Sequence, residues 1–114
     1  RNRVIALGFG FLILSHAAMA AASGPWLVWI GAGIWGIHLA LTQGIFSALV
    51  ADHAPAHLRG TAFGVFNLAA GLAIFIGSAA MGFAWDRMGA GTAFALAGAC
   101  SLLGLVLFLL PRRP

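Results

Sequence analysis

The chain has 114 residues, of which 62% are hydrophobic and only 7% charged, and its formal net charge is +4. A soluble domain carries about 25% charged residues, so this composition excludes an ordinary water-exposed globule. All six basic residues are arginines at the borders of apolar runs, which excludes the clustered basic face that nucleic acid requires.

Residues 4–51 contain no Asp, Glu, Lys or Arg, and neither do residues 60–85 or 88–111. As one helix the first run would be about 72 Å long, more than twice the roughly 30 Å of bilayer hydrocarbon, so it folds back. Ser23-Gly24-Pro25 is the expected turn, because glycine and proline break helices and serine favours turns. Four crossings result, over about residues 4–22, 26–50, 61–84 and 90–110. They are expected to be helical, since a bare peptide group finds no partner in hydrocarbon. Arg1, Arg3, an apolar stretch and Ala18-Met19-Ala20 have the outline of a secretory signal. Three further apolar runs favour a first crossing instead. The chain starts at arginine rather than methionine, and the segment is expected to be a fragment of a longer chain.

The first crossing offers only Ser15 and His16 as polar groups of note. The second carries Trp35, His38, Thr42 and Gln43 in its middle. Trp35, His38 and Thr42 lie at i, i+3 and i+7 and share a helical face, which predicts that this face meets a polar cavity or a partner helix. On the third crossing the candidates for solute contact are Phe63, Phe66 and Asn67; an unsatisfied amide in hydrocarbon costs several kcal/mol, so Asn67 needs a partner. Gly60 with Gly64, and Ser78 with Gly82, have the small-xxx-small spacing that allows close helix approach. Trp26, Trp29 and Trp85 are expected at membrane interfaces. Cys100, the single cysteine, has no disulfide partner and reads as a small packing residue. His53 and His57 alone make a poor metal site. No nucleophile with a base, paired carboxylates or cofactor motif is visible, so neither enzymatic activity nor a cofactor is expected.

Four crossings place both termini and the loop around residues 52–59 on one face, which collects five arginines: Arg1, Arg3, Arg59, Arg112 and Arg113. Positive charge in short loops stays in the cytoplasm, so both ends of the segment are expected inside and Asp86 and Arg87 outside. Arg59 begins a helix, where the dipole does not favour a cation. Its partner is expected to be Asp52, lipid phosphate or a helix beyond this segment, in a gating or topology-setting role. Asp86 is expected to cap the fourth helix, with a gating contact as the alternative.

The loop Pro55-Ala56-His57-Leu58-Arg59-Gly60, followed by Gly64, resembles the connection between the tenth and eleventh helices of major facilitator superfamily transporters. Gly82-Phe83-Ala84-Trp85-Asp86-Arg87-Met88-Gly89 has the spacing G-x-x-x-D-R-x-G of that family's signature turn. It lacks the basic pair that normally follows, having Ala90-Gly91 there, as degenerate copies on the outer face do. The resemblance implies an all-α integral membrane segment, helices nine to twelve of the C-terminal six-helix bundle of a twelve-helix transporter. It also implies alternating access to a small-molecule substrate, a central cavity built partly by the second and third crossings, and the bacterial inner membrane as location. Membrane lipid and the remaining helices are the implied partners. The competing reading is a complete small four-helix protein: a channel, a small multidrug transporter or an assembly scaffold.

Overall fold

In the computed structural model of the chain, which describes residues 1–110, four long helices follow one another: α1 (Asn2–Ala20), α2 (Pro25–His53), α3 (Arg59–Met88) and α4 (Ala90–Leu109). All four are long and apolar enough to cross a membrane. The tail Pro111-Arg112-Arg113-Pro114, expected at the charged end, lies outside the described residues.

The breaks follow from local chemistry. Pro25 stands at the first position of α2, where its missing N–H would have had no helical partner. Past His53 the chain is extended at Ala54, and Pro55 leads into a short 3-10 turn, Ala56–Leu58, from which α3 starts at once. Gly89 separates α3 from α4 with a φ of +88°, a left-handed conformation that glycine adopts without a Cβ clash. The third crossing was expected to end near residue 84, yet α3 continues to Met88. Charges mark where hydrocarbon ends; they do not unwind a helix, and only Gly89 does so here.

α1 lies between α2 and α4, and glycine makes both contacts close. A Cβ at Gly8 would stand 2.5 Å from the Thr42 methyl, and one at Gly31 would stand 2.7 Å from Met19 Cγ. On the other side, Gly91, Gly98 and Gly104 of α4 meet Ala20, His16 and Phe9 of α1. Phe9 also stacks with Phe108, ring centroids 6.3 Å apart. Buried hydroxyls sit at both interfaces: Ser15 Oγ donates across to Gly31 O at 2.8 Å, and Ser101 Oγ donates within α4 to Ala97 O at 2.9 Å while lying 3.3 Å from His16 Nδ1 of α1. Each replaces a contact with water that lipid cannot supply.

α3 is different. It packs mainly on α4, less on α2 and not on α1, and has a single buried residue, Ala84. Leu68, Leu72, Ile74 and Phe75 are all more than half exposed, which suits lipid or further helices and not water. The small-residue pairs singled out from spacing are not used here: a Cβ at Gly60, Gly64 or Gly82 would meet nothing within 4 Å among the described residues. Cys100, expected as a small packing residue, is likewise on an exposed face of α4 among the described residues. Its neighbour Ser101 takes the inward position instead.

Candidate functional site

Because α3 leans on α4, a gap opens between α2 and α3. Gln43 and Phe46 on one wall, and Phe66, Asn67, Gly71 and Ile74 on the other, bound a cavity of about 460 Å³. A second cavity of about 530 Å³ continues it through Phe66 toward the α2–α3 connection, past Val50, His53, Pro55 and Thr61. Gln43 is about 15 Å along α2 from His53, and Asn67 about 12 Å along α3 from Arg59, at 1.5 Å per residue. Both carboxamides are therefore well inside the apolar layer, and both are exposed to the gap. None of the side-chain hydrogen bonds among the described residues involves either one. A carboxamide offers two donors and an acceptor, so the gap presents hydrogen-bonding capacity in both senses against aromatic walls.

The remaining residues expected at a site are placed differently. Thr42 is buried at 3% exposure and donates from Oγ1 to His38 O at 2.8 Å. His38 Nδ1 lies 2.8 Å from Gly8 O; a carbonyl only accepts, so Nδ1 carries the proton. Of the two expectations for this face, cavity or partner helix, His38 and Thr42 meet the partner helix, α1. Trp35 is 47% exposed at the edge of that interface. Phe63 is half-buried and lies outside both cavities. Phe46, Gly71 and Ile74 were not anticipated. The signal for them was helical periodicity counted from the amides: Phe46 is three residues beyond Gln43, and Gly71 and Ile74 are four and seven beyond Asn67.

At the charged end, Arg1 pairs with Asp52 at 2.7 Å, with both side chains about half exposed. Asp52 is thus joined to α1, while Arg59 stands exposed at the start of α3. At the other end the expected capping role of Asp86 is corrected. Asp86 belongs to the last turn of α3, and Gly89 is the N-cap of α4, with no side-chain cap bond. Arg87, beside it, lies over the Phe83 ring at 4.7 Å from its centroid and suits the helix C-terminus. Trp26 and Trp29, at 81% and 74% exposure, begin α2 at this same end, as interfacial indoles do.

The profile of the Major Facilitator Superfamily matches residues 1–114. The uncharacterized MFS-type transporter YwfA of Bacillus subtilis (strain 168) is 33% identical over 107 residues, which cover 94% of this chain. The matched stretch is 26% of that relative, so the chain spans about a quarter of its length. No solved structure matches the chain. Four membrane-length helices, two loops with the family's spacing and a match along the whole sequence make this an integral membrane chain that belongs to the Major Facilitator Superfamily.

Proposed function

We infer that the chain supplies helices nine to twelve of a solute transporter working by alternating access, with the α2–α3 gap as its share of the substrate path. The reading rests on one observation above all: Gln43 and Asn67 face the same cavity at membrane depth with no partner among the described residues. In hydrocarbon such groups are costly unless something bonds to them. A solute that passes between bundles satisfies them in turn, and the second wall comes from helices outside this segment. Phe46 and Phe66 exclude water around the contact. The groove carries no charged side chain on its walls at this depth, which favours recognition by hydrogen bonds and apolar contact. The chain is read as transporter and not enzyme, in the inner membrane of a bacterium. Both ends of the segment face the cytoplasm, because the arginines gather there.

The test uses the intact transporter in proteoliposomes, with solutes screened by uptake. Gln43→Ala and Asn67→Ala should each lower uptake by about tenfold, the effect of losing one to two hydrogen bonds to substrate, while insertion and melting temperature stay near wild type. Normal uptake in both variants would remove the gap from the path. For orientation, Met88→Cys in a Cys100→Ser background should react with an impermeant maleimide added outside intact cells. Labelling only after the cells are broken would invert the topology.

A further inference from the structure

A separate groove of about 420 Å³ opens between α1, α3 and α4, at the end of the bundle that holds the α3–α4 turn. His16 from α1, Trp85 and Asp86 from α3, and Phe94 from α4 line it, and it shares no lining residue with the α2–α3 cavities. Its volume is in the range of small-molecule sites, roughly 300–1,000 Å³.

Three features of this groove point to one kind of ligand. The first is a lone pair. Ser101 Oγ is 2.9 Å from Ala97 O and 3.3 Å from His16 Nδ1. The hydroxyl has one proton, and the carbonyl can only accept it, so His16 Nδ1 must be the N–H that donates to Ser101. That leaves His16 Nε2 as an acceptor, in a ring already fixed by its other nitrogen.

The second feature is an uncompensated anion. Asp86 sits in the last turn of α3, where the helix dipole opposes a negative charge. Among the described residues the Asp86 carboxylate has no ion pair, Arg1 with Asp52 being the pair that forms. Its neighbour Arg87 is held over Phe83, which is not part of the groove wall. The third feature is aromatic: Trp85 and Phe94 meet edge to face with centroids 5.7 Å apart, and alanine, glycine and methionine supply much of the rest of the lining.

A protonated amine on a compact apolar body answers all three. Its N–H donates to Nε2, its charge neutralises Asp86, and the indole and phenyl groups of Trp85 and Phe94 favour a cation nearby. An anion would be repelled by Asp86, and a plain hydrocarbon would leave it unpaired. We propose that the α1–α3–α4 groove is a second ligand site, distinct from the α2–α3 gap, and that it binds small lipophilic amines in their protonated form. The site does not depend on the substrate path assigned above, because it is read by binding and not by transport.

The experiment is calorimetric titration of the purified intact transporter in detergent with 2-phenylethylamine, and with 2-phenylethanol as the uncharged counterpart. Saturable amine binding is expected, with the alcohol weaker by about tenfold or more, as loss of a charge-assisted contact dictates. Asp86→Asn should weaken amine binding by a similar factor. Asp86 is exposed among the described residues, and the amine-to-alcohol comparison needs no variant at all. Gln43→Ala should leave amine affinity unchanged. Equal binding of amine and alcohol, or equal amine binding by wild type and Asp86→Asn, would overturn the proposal. So would loss of amine binding in Gln43→Ala, because the amine would then occupy the other cavity.

Discussion

Along α1, glycine brings backbones together; along α3 it does not. Gly8, and Gly31 across from Ser15, stand where an added Cβ would collide with α2 or α1, whereas Gly64, Gly71, Gly77 and Gly82 face open space among the described residues. Polar groups divide in the same way. On the α1 side Ser15, His38 and Thr42 each spend a hydrogen bond on a backbone carbonyl, and on the α2–α3 side Gln43 and Asn67 face a cavity. The contrast teaches that small-residue spacing permits an approach without dictating it. It also separates a closed, satisfied interface from a surface whose bonding capacity is unmet among the described residues.

The sharpest way to break this contrast is Gly8→Leu. The new side chain cannot be placed without moving Thr42, whose methyl would already be 2.5 Å from its Cβ. A loss of about 1–3 kcal/mol is expected from overpacking, read as a melting temperature several degrees lower in detergent. An unchanged melting curve would show that α1 and α2 are not locked together. Ser15→Ala comes next: removing the bond to Gly31 O should cost about 0.6–1.7 kcal/mol, with insertion intact. Denaturation showing no loss would mean that the buried hydroxyl is not holding the interface. Smallest is Gly64→Ala, expected within about 0.5 kcal/mol of wild type because nothing described is near. A loss of several times that in the intact transporter would instead reveal a further helix seated on α3.

The crossings were legible because lipid imposes them: charge-free runs of the right length leave few alternatives, and Ser23-Gly24-Pro25 announces its own turn. Helix ends were less legible. Asp86 was read as a loop residue because charge was taken to mark the end of a helix, while the actual stop, Gly89, is one glycine among 16. Gln43, Phe66 and Asn67 were visible as candidates, and the structure lines one cavity with all three, because amides are scarce in hydrocarbon and stand out by residue type alone. The common face of Trp35, His38 and Thr42 could be counted from spacing, but not which neighbour it meets. Rotation of a helix about its axis is set by its partners, and the partner that matters, Gly8, has no side chain to signal it.

The unequal lengths of the four rods have a mechanical consequence. The uncharged parts of α2 and α3 are each close to 40 Å long, against about 26 Å for α1 and 30 Å for α4, at 1.5 Å per residue. One slab of lipid cannot match both pairs upright, so the longer two tilt, protrude or thicken the bilayer around them, at a modest cost per Å of mismatch. The pair that bounds the α2–α3 gap is thus the pair with the larger mismatch to a hydrocarbon layer of roughly 30 Å.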